Sequence, residues 1–486
     1  MSSDRFSMKV LAAAAACVGT LVGAVAPAHA ALTIVINNLN GPGVGFNDAT
    51  PVVPVGGNTG TTLGEQRLIA FNHAANIWGA SLTSNQPVVI NAQFSALTCT
   101  AASAVLGSAG ATQIFRDFPG ATKAATWYSY ALANRLAGAY LGTLNAPQIN
   151  ANFNVNLGQN ANCLPNSSWY YGLDSNEPTG GIDFVAVLQH EMAHGLGFQT
   201  FTNGTSGAFT SGFPAIWDHF LFDATDNVAW KDATAAQRAA SAISVDKLVW
   251  AGPMVNTAAA AVLRSGLPGA AMSGPQAGAL TGTTLQAGEA SFGPALTQAG
   301  VTADVMPVVT PTTAGAVTGP GCGPLTVNDA RAVQGRIALI DRGSCGFAVK
   351  TKNAQLAGAV GVLIANNVVG AAPPLGGVDS TVTIPAIGLS LADANLLKEA
   401  LKKRSRTASG LVARIGLFGT QLAGADTLGR MKMFAPNPFQ GGSSVSHFDV
   451  TAAPNQLMEP SINSNLTQAV APPFDLTLPL FQEIGW

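Results

Sequence analysis

The sequence predicts an α+β fold in which a small α/β module interrupts a larger domain built on a mixed sheet. Three observations predict it. A helix-spaced run is followed by a β-branched one; an alternating run precedes an apolar helix that carries two histidines four apart; and an apolar strand, a helical stretch and a second apolar strand follow one another farther along.

At the N-terminus, Arg5 and Lys9 precede an apolar run from Val10 to Val25 and a small-residue exit, Ala28-His29-Ala30. This pattern reads as a secretory signal cleaved after Ala30. No later segment is long and apolar enough to span a bilayer, so the chain from Ala31 is expected to be extracellular or periplasmic, with no membrane span once the signal is removed. With 48% hydrophobic residues, 10% charged residues and a formal net charge of −2, the chain has no basic surface for nucleic acid or anionic lipid. Cys17 lies in the signal. The remaining Cys99, Cys163, Cys322 and Cys345 suggest, in sequence order, two disulfides in an oxidising compartment.

The run LTIVINN, from Leu32, reads as a first strand. In EQRLIAFNHAANIWGASL, apolar Leu68, Ile69, Phe71, Ala75 and Ile77 fall near helical spacing, with His73 and Trp78 expected to pack or cap. PVVINAQFSAL is β-branched and partly alternating, as a strand would be. INANFNVNLG alternates Ile149, Ala151, Phe153, Val155 and Leu157 with polar neighbours, and is expected to be a strand whose free edge could pair with an extended peptide.

FVAVLQHEMAHGLGFQTF carries the chemistry. His190 and His194, four apart, lie on one helical face and can direct both imidazoles at one ion. Glu191 cannot join them but can reach a water that the ion holds. That set points to one catalytic zinc ion and to hydrolysis of peptide bonds, with Glu191 as general base. Gly197 suits an abrupt helix end, where positive φ is needed. A third ligand at Thr200 is missing, because threonine is a poor zinc donor. Asp218 and His219 in PAIWDHFLFD, or His447 in GGSSVSHFDV, are the candidates.

The combination of HEMAHGLGF, the distant SHFD, the LMEP turn and the terminal DLTLPLFQEIGW resembles leishmanolysin-like metzincin zinc metalloproteases and their secreted bacterial relatives. The resemblance implies a zincin-like catalytic domain with an active-site helix. It makes His190, His194 and His447 the ligands of a single zinc, Glu191 the general base, and Met458 the methionine of the turn beneath the metal. Protein or peptide substrates are the implied partners. Such enzymes are commonly made with an inhibitory prosegment; here little chain separates Ala30 from the first strand and no spare cysteine follows, so activity on secretion, or gating by the inserted module, is expected instead.

GRIALIDRGSCGFAVKTKNAQLAGAVGVLIANN and TIPAIGLSLADANLLKEAL resemble a protease-associated (PA) domain, with strands at Ile337–Ile340 and Val360–Ala365. Asp341 and Arg342 are expected to form a turn-stabilising ion pair. The expected organisation is a signal at 1–30, catalytic residues at 31–285 and 421–486, and a PA insertion at 286–420. Against the protease stands a non-catalytic secreted binding protein with a structural zinc; an intact Glu191 separates the two, since a structural site needs no base. Asp449 is a candidate partner of His447, and Tyr170 and Tyr171 are candidate oxyanion donors.

Overall fold

A computed structural model describes residues 30–310, 316–463 and 465–486; the expected signal segment lies outside them. Four strands form the first sheet: β1 (Ile34–Asn38), β2 (Val88–Ser95), β3 (Gly107–Ala111) and β4 (Ile149–Asn154). Their order is β1-β2-β4-β3, with β1, β2 and β4 parallel and β3 antiparallel to β4. The alternation INANFN follows from this placement. Ile149, Ala151 and Phe153 are buried, while Asn150 and Asn152 join an amide row on the other face: Asn37 donates to Asn91 (2.7 Å), Asn91 to Asn150 (2.9 Å) and Gln93 to Asn152 (2.9 Å). Both edges of β4 are occupied, however, by β2 and β3. The sheet's edge strands are β1 and β3, which corrects the expectation of a free edge at Ile149–Asn154.

Helix α1 (Leu63–Ser81) opens with a capping box between Thr62 and Glu65, and Trp78, fully buried, donates its indole N–H to Gln189 O (3.2 Å). Helices α2 (Tyr130–Ala137) and α3 (Phe184–Leu196) follow. Phe184, at the start of α3, meets Phe94, Phe153 and Trp169 at centroid distances of 5.3, 5.2 and 5.1 Å. Burial of such a ring stabilises by about 1.5–3 kcal/mol and fixes the start of α3 against the sheet.

After α4 (Pro253–Val262) the chain enters a closed barrel of seven strands: β5 (Ser265–Ser273), β6 (Thr284–Glu289), β7 (Val301–Pro307), β8 (Ile337–Asp341), β9 (Gly361–Ala365), β10 (Ala386–Leu389) and β11 (Val412–Leu422). The order around the barrel is β5-β6-β10-β9-β8-β7-β11. The expected strand–helix–strand is thus β8, α5 (Phe347–Leu356) and β9, with α6 (Leu391–Leu401) after β10. The module begins with β5, about twenty residues before the expected border at 285; a Gly- and Pro-containing stretch, SGLPGAAMS, gives no strand signal of its own and is held by pairing with β11.

Asp341 and Arg342 do not pair with each other. Asp341 binds Lys398 (2.7 Å), and Arg342 donates to Asn366 (2.8 Å). Buried residues of the barrel, Ala270 to Leu417, pack among themselves, whereas those from Leu32 to Leu263 and from Ala425 to Trp486 form one separate core. The C-terminal part ends in α7 (Thr477–Ile484). Disulfides join Cys99 to Cys163 and Cys322 to Cys345, as sequence order suggested, and fit an oxidising compartment. No helix among the described residues is long and apolar enough to cross a membrane.

Candidate metal centre

Helix α3 begins where it does because Asp183 accepts the N–H groups of Val185 (2.8 Å) and Ala186 (3.3 Å). It ends at Gly197, with φ of 134°, a conformation closed to residues with a Cβ; a Cβ there would also lie 3.0 Å from Ser129 Oγ. The last-turn carbonyl of Leu196 is satisfied by Ser129 Oγ (3.1 Å) and the Trp486 indole (2.9 Å).

On this fixed helix the Nε2 atoms of His190 and His194 lie 3.0 Å apart, and that of His447 lies 3.1 Å from each. All three rings are buried. Each Nδ1 faces a backbone carbonyl: His190 faces Leu457 O (2.8 Å), His194 faces Phe198 O (2.8 Å) and His447 faces Ser443 O (2.7 Å). A carbonyl only accepts, so each Nδ1 carries the ring's proton and each Nε2 presents a lone pair. The short Nε2 separations are therefore not hydrogen bonds between neutral rings. Nor do charged rings supply the missing protons, because burial lowers the pKa of His190 to about 4, that of His194 to about 3 and that of His447 well below its usual value.

Three converging acceptors without a donor fit a cation. Nitrogens bound at about 2.0–2.1 Å and at tetrahedral angles around zinc stand roughly 3.3 Å apart, close to the spacing here. These three histidines form the only such group of potential ligands among the described residues, with no fourth side chain.

Glu191 is buried beside them under β3. A Cβ built on Gly107 would meet its Oε1 at 2.7 Å, and the Ala109 N–H faces the carboxylate. Burial pushes this carboxyl up to about 8, against the lowering effect of that N–H. Met458 is fully buried, and its carbonyl accepts the N–H of Phe448 (2.8 Å), tying its loop to the segment of His447.

The other sequence candidates lie elsewhere. Asp218 accepts from Thr200 Oγ1 (2.6 Å), Thr202 Oγ1 (2.6 Å) and Ala215 N (2.8 Å), while His219 contacts Thr126 Oγ1 (3.0 Å). Thr200 still serves the site, since its N–H reaches Ser446 Oγ (3.2 Å) next to His447. Asp449 caps Thr451 rather than holding His447, whose partner is Ser443 O. His73 pairs with Gln468 (3.2 Å). The Tyr170 hydroxyl donates to Asp174 (2.6 Å) and is not free for an oxyanion, while that of Tyr171 accepts from Arg67 Nε (2.9 Å). Neither strand β3 nor the three carbonyl partners carries a sequence signal of its own.

Comparison with known proteins identifies residues 301–397 as a PA domain, inside the barrel. The chain is 49% identical over 57 residues to a PII-type proteinase of Lacticaseibacillus paracasei, covering 12% of this chain and 3% of that protein. It is 35% identical over 92 residues to an ER degradation-enhancing alpha-mannosidase-like protein 3 of Xenopus laevis, covering 17% of this chain and 10% of that one. The chain thus spans a tenth or less of the length of these curated relatives. Among solved structures, a zinc aminopeptidase from Bacillus subtilis matches with 24% identity and a TM-score of 0.22, over 34% of this chain and 36% of that one. An aminopeptidase from Aneurinibacillus sp. strain AM-1 matches with 22% identity and a TM-score of 0.23, over 33% and 32%.

Proposed function

We propose that this chain is a secreted zinc-dependent endopeptidase of the metzincin type. His190, His194 and His447 are its metal ligands, Glu191 its general base and Met458 its Met-turn residue. The observation that carries this reading is the meeting of three buried Nε2 lone pairs beside a buried carboxylate. A zinc ion held by three side chains would supply an open coordination position, a water acidified toward neutrality and polarisation of the carbonyl under attack.

A cation at the three histidines would favour the ionised form of Glu191 against the effect of burial; Glu191 then takes the proton of the attacking water on its carboxylate and later passes it to the leaving nitrogen. The free edge of β3, directly over Glu191, offers backbone groups to an extended peptide on both sides of the cut bond, which favours cleavage within a chain. The PA barrel divides the catalytic part between His194 and His447.

The test is hydrolysis of an unfolded protein by residues 31–486, beside Glu191→Gln, with bound zinc quantified in both. The variant is expected to keep one zinc per chain and to lose activity by 10²-fold or more. Zinc in both proteins with no cleavage by either would favour a structural metal in a binding protein.

A further inference from the structure

Two of the three imidazoles are oriented locally. The carbonyl facing His194 comes from Phe198, four residues on, and that facing His447 comes from Ser443, four residues back. His190 differs, because its carbonyl belongs to Leu457, 267 residues away, on a loop without regular structure. The direction of the His190 ring therefore depends on what holds Leu457.

The N–H of Leu457 donates to Asp475 Oδ2 at 2.7 Å. The other oxygen, Oδ1, accepts the N–H of Thr477 (2.7 Å), in the first turn of α7. Asp475 is 2% exposed, so water does not compete for either bond. Helix α7 is anchored at its far end to the metal helix itself, where the Trp486 indole donates to Leu196 O (2.9 Å). A continuous frame thus runs from the C-terminus of α3, along α7, through the Asp475 carboxylate to Leu457 and back to His190 in the middle of α3. A neighbouring bond reinforces it: Leu476 N–H donates to Gln456 Oε1 (3.0 Å).

We propose that Asp475 is a positioning residue of the metal centre, fixing Leu457 so that its carbonyl orients His190. The proposal rests on the metal reading above. Asp475 touches neither metal nor substrate. Its carboxylate matters because both oxygens accept, so one rigid group joins the Leu457 turn to α7 in a single geometry. An amide of the same shape has one accepting end and turns an NH₂ group toward one of the two N–H donors, which loosens that joint.

The experiment compares the full mature chain with Asp475→Asn. Zinc affinity is measured by competition with a chelator, and the visible absorption of the Co²⁺-substituted proteins is recorded. Affinity is expected to fall 10–100-fold, with an altered cobalt spectrum. The thermal midpoint of the metal-free protein serves as the reference for folding, and a merely structural role would move that midpoint without changing the spectrum. Equal zinc affinity and identical cobalt spectra in parent and variant overturn the role of Asp475 alone. A parent that binds no zinc overturns the metal reading and this proposal with it. Should Asp475→Asn fail to fold, amide exchange at Leu457 in the parent decides: slow exchange supports the bond, and exchange at the rate of an exposed loop overturns it.

Discussion

A Cβ built on Gly107 would lie 2.7 Å from Oε1 and 2.8 Å from Cγ of Glu191, although the backbone of Gly107 is one any residue could adopt. Only space excludes a side chain there. Gly107→Ala is therefore expected to fold and to bind zinc while displacing the carboxylate. Misplacement by about 1 Å can cost on the order of 10²-fold in turnover. Steady-state kinetics with zinc analysis would check this; turnover equal to the parent's would mean that Glu191 has room to yield. At this scale the His190, Glu191 and His194 set was legible, because spacing on a helix encodes direction. His447 entered through family resemblance and not through spacing, since its distance along the chain carries no geometric information. The carbonyls of Leu457, Phe198 and Ser443 were not legible at all, because every residue has one.

Among the elements, the turn from Pro454 to Pro460 combines the carbonyl that faces His190 with a buried acid. Burial pushes the Glu459 carboxyl from its ordinary 4.5 up to about 9; buried Asp449 and Asp475 add to this, while Gln456 N–H and Asn463 oppose it. A raised folded-state pKa means that the fold prefers the protonated acid. Its contribution to stability is full below about pH 4.5 and is lost as pH rises through about 9. Glu459→Gln carries no charge, so its thermal midpoint is expected to change less than the parent's from about pH 5 to about pH 9. Parallel melting curves across that range would reject this. Strands β1, β2 and β4 were readable from alternation and β-branching. Strand β3, sequence GSAGA, was not, because its small residues carry no pattern and its extended form comes from pairing with β4.

For the whole molecule, the two places where the chain crosses between core and barrel lie side by side. Ser265 pairs with Leu422, Ala423 N–H donates to Arg264 O (2.9 Å), and the Arg264 guanidinium grips Glu289 through its two terminal nitrogens (2.9 and 2.6 Å). Replacing residues 265–422 by a short Gly-Ser turn is expected to leave a folded metal centre that binds one zinc, since the barrel's buried residues form cores of their own. Zinc stoichiometry and near-ultraviolet circular dichroism of the shortened chain would show it; loss of both would make the barrel part of the catalytic fold. The insertion was legible as a module because its strand–helix–strand pattern is self-contained. Its beginning was not, because β5 is extended only in the company of β6 and β11. That adjacency also bears on how a ligand set can be divided along a chain. His194 and His447 are 253 residues apart, but a barrel that closes its own ends removes more than half of that separation from the loop that brings the histidines together. Since each doubling of a loop costs only about 0.6 kcal/mol in closure entropy, the imidazoles meet almost as readily with the barrel as without it. By that measure the length of the inserted module has little influence on whether the three nitrogens meet.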